Sequence, residues 1–362
     1  MSISRPAPLR RLWFATSCAL ALAACGDDSS GEPFSAEGTS ADMSAVSASF
    51  DSPAMANLSW AAGGIDAVFG APLVTSSMNA IKLGSPATGL TASAQRIARS
   101  VEGFNGGVAR NVALAVIPAE VLGKTFEYNT VTDVYEASER TGAPVNGVRF
   151  IVYAVNPITQ VPVEPLQEAG YADLLDQSTT SSDAVRLQLV SGGVTYVDYG
   201  VSGSATATTG LAVVDGFVTN GTTRVNFDLQ NSYSDAANGT IGFDYSLDAP
   251  SLDVALNYVI GVTQLSTAAA LADIDVTLAG PHGNVGIDGN LVEGEGELTA
   301  NVNGDAFAVV TLDDNSEVAS ITKPDGAALT APEYAALAAI WGAVLKGLDV
   351  FEDLLDPLDN LL

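Results

Sequence analysis

The chain has 362 residues, 14 of them basic and 42 acidic, for a formal net charge of −28. A surface this negative repels phosphate backbones, which excludes nucleic acid as a partner. Hydrophobic residues make up 47% and charged residues only 15%, so the chain has ample material for a core and is not a disordered acidic tail.

Residues 1–24 open with Arg5, Arg10 and Arg11 and continue as an apolar stretch from Leu12 to Ala24. Positive charge ahead of an apolar helix too short to span a bilayer is the layout of a secretory signal. It ends in Leu22-Ala23-Ala24-Cys25, which closely resembles the lipobox of bacterial lipoproteins. The resemblance implies cleavage before Cys25, acylation of Cys25 and a membrane anchor through the lipid. Gly26 stands where an Asp tends to retain enteric lipoproteins in the inner membrane. The outer membrane is therefore the expected location, with the chain facing the periplasm or the cell surface. Losing residues 1–24 removes three basic residues and no acidic one, taking the net charge from −28 to −31.

Only two cysteines occur, Cys18 and Cys25. With Cys18 in the signal and Cys25 acylated, no thiol remains for a disulfide, a thiolate metal site or an iron–sulfur cluster. The single histidine, His282, lies in Gly280-Pro281-His282-Gly283 and reads as a turn tip. One imidazole is too few for an ordinary zinc site, and a triad needs Ser and Asp placed around it. Residues 25–52 are rich in Ser, Gly, Asp, Glu and Ala and read as a flexible tether with an rms span of roughly 25–30 Å.

Residues 53–118 carry a weak helical pattern. Met55, Leu58, Ile65 and Val68 share a face interrupted by Gly63-Gly64, and a clearer helix is predicted over Thr91 to Val101. Across 119–325 the period falls to two. Val225, Phe227 and Leu229 alternate with polar residues, as do Ile241, Phe243, Tyr245 and Leu247, and further runs repeat the pattern. These are half-buried strands with one wet face. Asn220-Gly221, Asn238-Gly239, Asp288-Gly289 and Asn303-Gly304 are turn signals that make consecutive strands antiparallel. Val148 to Val155 is apolar on both faces, which predicts a central strand covered on both sides.

Residues 326–362 hold Thr330-Ala331-Pro332-Glu333, a capping box, and then a wide stripe of Leu337, Ile340, Trp341, Val344, Leu345 and Leu348. The expected fold is α+β and mainly β. A long antiparallel meander of ten to twelve strands forms a curved sheet or partial barrel, packed by a C-terminal helix and a few N-terminal helices.

No residue set points to catalysis or to a cofactor. The strand-borne Asp228, Asp244, Asp253, Asp273 and Asp275 alternate with apolar residues and should face solvent. The densest acidic stretch, Asp288-Gly289-Asn290 with Glu293, Glu295 and Glu297, lacks EF-hand spacing because Val292 stands where a ligand is needed, and metal binding there is left open. Nucleotide-binding glycine motifs and a GxSxG elbow are absent from the sequence. The expectation is a non-catalytic structural or interaction module of the cell envelope, with a protein or a lipid as partner. The alternative is a carrier of an apolar ligand or lipid in a half-barrel groove, an architecture that resembles periplasmic lipoprotein carriers. A carboxylate-based hydrolase is third.

Overall fold

A computed structural model describes residues 34–50, 52–69, 117–206, 208–235, 239–264, 271–292, 295–313 and 318–355. The signal segment, Cys25, the Thr91 to Val101 helix and the Asn238 half of one turn signal lie outside these residues. Among the described residues two helices, α1 (Ala36–Ser47) and α2 (Pro53–Phe69), precede fifteen strands. These are β1 (Thr125–Asn129), β2 (Val134–Ser138), β3 (Gly147–Tyr153), β4 (Glu168–Asp176), β5 (Asp183–Ser191), β6 (Val194–Ala205), β7 (Thr209–Thr219) and β8 (Arg224–Ser234), followed by β9 (Thr240–Ala249), β10 (Val254–Thr263), β11 (Leu271–Ala279), β12 (Val285–Val292), β13 (Glu295–Val302), β14 (Asp305–Leu312) and β15 (Val318–Thr322). Helix α3 (Ala331–Leu355) closes the described chain.

All fifteen strands form one sheet that stays open, with β15 at one edge and β2 at the other. From β3 onward each strand pairs antiparallel with the next, as short links demand. The sequence undercounts the strands, because its weaker alternations are short. It also misses one parallel pair. Phe126 of β1 aligns with Phe150 of β3, and β2 lies outside β1. The link over 139–146 has only to pass the end of one strand, so eight residues suffice for β3 to pair beyond the hairpin.

Burial follows the two-residue period. On β8 to β11, Val225, Phe227, Leu229, Ile241, Phe243, Tyr245, Leu247, Leu256, Tyr258, Ile274 and Val276 are buried, with polar residues between them. The Asn303-Gly304 turn has positive φ at both residues, 52° and 91°, the conformation a tight hairpin needs for its twist to match the strands. Asp288-Gly289, in contrast, lies inside β12 rather than at a turn. A side chain at Gly289 would run into the Glu297 carbonyl of β13, so this glycine serves a close backbone approach.

Helix α1 occupies twelve of the 28 residues read as a tether. Ser35 caps it by accepting from the Gly38 N–H at 3.1 Å, and Met43 and Val46 are fully buried. The segment is polar enough to read as a linker. Packing of two apolar residues against α3 and β10 outweighs its weak helical pattern. Helix α2 continues through Gly63-Gly64 and packs on β2 to β5. Met55 and Leu58 are buried and Val68 is half-buried. On α3, Leu337, Ile340, Trp341 and Val344 are all within 1% of full burial, while the side chains of Leu345 and Leu348 lie outside the described set. The helices and the strands contribute to one hydrophobic core.

The N-terminus of α3 departs from the reciprocal capping box. Glu333 accepts from the Thr330 N–H at 2.7 Å, but the Thr330 hydroxyl donates to the same carboxylate at 2.8 Å. Lys323 Nζ lies 2.7 Å from Glu333. The hydrogen bond from Lys323, then those from Thr330, hold the Glu333 carboxyl at about 2. A lowered carboxylate pKa favours the folded state above the ordinary value near 4.5, and this contribution fades as pH falls toward 2. An NMR titration should place the Glu333 midpoint near 2, and Lys323→Met should move it back toward 4.5.

Strand β3 is buried on both faces. Phe150 meets Phe126 and Tyr135 on the side of α2, at 5.1 and 5.4 Å between ring centres. On the other side Ile151 and Tyr153 are buried, and Arg149 grips Asp173 of β4 with two bonds of 2.7 and 2.6 Å. The Arg149 guanidinium also lies 3.6 Å from the centre of the Tyr171 ring. Asp173 is 7% exposed. Asp173→Ala is expected to cost about 2–3 kcal/mol in urea unfolding, because it strands a half-buried guanidinium.

Candidate functional site

Cys25, the one residue to which the sequence gives a role, lies outside the described residues. His282 sits in the β11–β12 turn, as its Pro-His-Gly setting predicts, but its surroundings are more specific than a bare turn. Its carbonyl accepts from the Ser35 N–H at 2.9 Å. Its Nδ1 stands 2.9 Å from both carboxylate oxygens of Asp42. A Cβ on Gly38 would overlap the imidazole ring, so the glycine lets the turn lie directly on α1. The pair ties the first described helix to the sheet. It forms one carboxylate–imidazole contact, and half of the imidazole side chain faces water.

Of the acidic residues assigned to solvent, Asp228, Asp244, Asp273 and Asp275 lie on the wet face of the strands, whereas Asp253 is not on a strand but in the β9–β10 turn, with φ 55°. Asp244, Asp253, Asp273 and Asp275 are exposed and Asp228 is half-buried. Asp275 lies opposite Asp288 in the β11–β12 ladder, and Asp288 accepts from the Asn301 amide. Glu297 pairs with Asn290 instead, and Glu293 lies outside the described residues. The stretch is thus spread along two strands of the wet face. Among the described residues no three His, Cys, Asp or Glu side chains are grouped to hold a metal ion.

The two described tryptophans do not form a sugar platform. Trp60 packs edge-on against Tyr128 at 4.8 Å and near Tyr135 at 6.5 Å, under α2. Trp341 is buried in the core.

The polar groups inside the core are what the sequence reading passed over. The Asn231 side chain points inward from β8 at 2% exposure, and its Oδ1 accepts from the Tyr245 hydroxyl at 2.7 Å. Its amide nitrogen, the Tyr199 hydroxyl and the Trp341 indole N–H have no hydrogen-bond partner among the described residues. Burial pushes the Tyr199 and Tyr245 hydroxyls well above their ordinary value, so both are held neutral. The signal was in the period: Asn231 falls two residues after Leu229 and Tyr199 two after Val197, on the inward side. Tyr199 and Asn231 belong to different rows across the sheet, since Tyr199 aligns with Gly216 and Phe227, whereas Asn231 aligns with Ala212 and Phe243.

No family model, curated protein or solved structure matches this chain.

Proposed function

We propose that the protein is an exported lipoprotein, anchored in the outer membrane by acylated Cys25, that serves as a non-catalytic structural or interaction module of the cell envelope. What supports the non-catalytic reading is the cover on the apolar face. Leu58, Ala61, Leu337, Trp341 and Val344 from the helices join the inward residues of the strands in one core. The polar face is a spread of Asp, Asn and Thr, suited to solubility and to contact with another macromolecule.

A specific observation favours a second reading, the carrier. Buried donors without partners cost about 1–3 kcal/mol each unless something bonds them, and Asn231, Tyr199 and Trp341 supply three. A small amphiphile or ordered water would satisfy them.

Native mass spectrometry of a version starting at Gly26, purified without detergent, separates the two. A bare protein mass is expected. A reproducible added mass, lost on denaturation and identified as lipid, would replace the module by the carrier. Metabolic labelling with an alkyne fatty acid tests the anchor: the wild type should be labelled and Cys25→Ala should not.

A further inference from the structure

Two glycines lie side by side on the wet face without a reason inside the fold. Gly242 of β9 aligns with Gly261 of β10. Neither has a positive φ. A Cβ on Gly261 would meet nothing within 4 Å, and one on Gly242 would meet only the end of the Ser232 side chain. Glycine weakens a strand interior, and it marks a bulge, a bend or the close approach of another chain. The ladders joining β8, β9, β10 and β11 run through this region without a bulge. What remains is a close approach from outside. The pair leaves a floor of bare backbone on the face away from the helices.

The surroundings of the floor supply a chemistry. Val259, two residues before Gly261, is 46% exposed. Asp244 of β9 and Asp275 of β11 stand opposite Val259, and Asp273 stands opposite Gly261. All three carboxylates are exposed, and among the described residues none is held in an ion pair. Asp275 also aligns with Asp288 of β12, and like charges directly opposite each other destabilise a ladder. From Thr240 to Leu312 the sequence has ten acidic residues and no lysine or arginine.

We infer that the Gly242–Gly261 floor is a docking surface for another protein, which lays an extended, arginine-bearing segment across it. The inference names the contact surface of the module reading, and it rests on that reading in taking the polar face as the one that meets a partner. The floor admits the partner close to the sheet. Val259 offers an apolar wall to the arginine stem, and Asp244, Asp273 and Asp275 receive the guanidinium. An exposed aliphatic residue within a charged rim is the usual anatomy of a protein contact. A second copy of this chain is the wrong occupant, because it brings its own net charge of −28.

The test measures, by fluorescence anisotropy, the binding of a fluorescein-labelled peptide of alternating arginine and threonine to the full chain. In an extended peptide the arginines share one face. The wild type is expected to bind, and more weakly as salt is added. Gly261→Val fills the floor from open space with a residue that favours strands. Circular dichroism and the urea midpoint should therefore stay near wild type while affinity falls about tenfold or more. Asp273→Asn combined with Asp275→Asn should lose as much. Asp215→Asn, an exposed carboxylate on β7 of the same face, should lose less than about twofold. No binding by the wild type overturns the inference. Equal losses for Gly261→Val and Asp215→Asn do so too, since net charge alone then governs the peptide. Native mass spectrometry of the same samples separates the failures. A bare protein whose binding ignores Gly261 keeps the module reading and loses this surface. A retained lipid removes the module reading, and the docking surface then stands or falls on the peptide result alone.

Discussion

Val344→Asp is expected to cost at least about 4 kcal/mol and to leave the protein largely unfolded. Val344 is fully buried on α3, between Ile340 and Trp341 on the packed stripe and the Tyr258 hydroxyl, which donates to the Val344 carbonyl. A carboxylate placed there loses its water. Such a group must ionise at high cost, take up a proton or expel the helix. Val344→Ala separates the charge from the lost volume, and truncation alone should cost about 2 kcal/mol. Asp244→Ala on the wet face should change stability by less than about 0.5 kcal/mol. Guanidinium unfolding followed by circular dichroism and by the fluorescence of nearby Trp341 reads all three. Equal losses for Val344→Asp and Asp244→Ala would reverse the assignment of the two faces.

That assignment was legible because a strand buried on one side writes its facing into every second residue. From Val225 to Leu278 the alternation names the buried residues almost one by one, and the turn at Asn303-Gly304 is equally readable. The failures have local causes. Helix α1 holds Gly38, Ser40 and Ser44, a composition that suits a linker, and its order comes from contacts with α3 and the His282 turn, far away in sequence. Asp288-Gly289 has the chemistry of a turn, but the backbone of β13 needs the same missing side chain. The parallel β1–β3 pairing depends on which side of a hairpin the next strand joins, and strand patterning is blind to that choice.

The site was less legible than the fold for a related reason. The expectation for Cys25 rests on a local motif that needs no tertiary context. Asn231, Tyr199 and Trp341 become notable only when the partners of each polar atom are counted in three dimensions.

Gly216→Ala is expected to cost about 3 kcal/mol or more, an unusual loss for the addition of one methyl group. Gly216 lies on β7 with φ 151°, a conformation that side chains other than glycine rarely adopt. A Cβ there would overlap the Asp198 carbonyl and the Tyr199 backbone of β6, and neither atom is the free end of a flexible chain. The gap also has a use. Gly216 occupies an inward position between Tyr199 on β6 and Phe227 on β8, and the two rings meet across it edge-on at 5.7 Å. Adding the methyl group therefore combines backbone strain with overpacking, each worth about 1–3 kcal/mol. Gly261→Ala on β10 is the control. A Cβ there meets nothing within 4 Å, so that change should be neutral or stabilise by up to about 1 kcal/mol through the unfolded chain. Urea midpoints of the two variants should thus move in opposite directions or differ several-fold. A similar small shift for both would mean that β6 and β7 have room to part at Gly216, and that the Tyr199–Phe227 contact does not set their spacing.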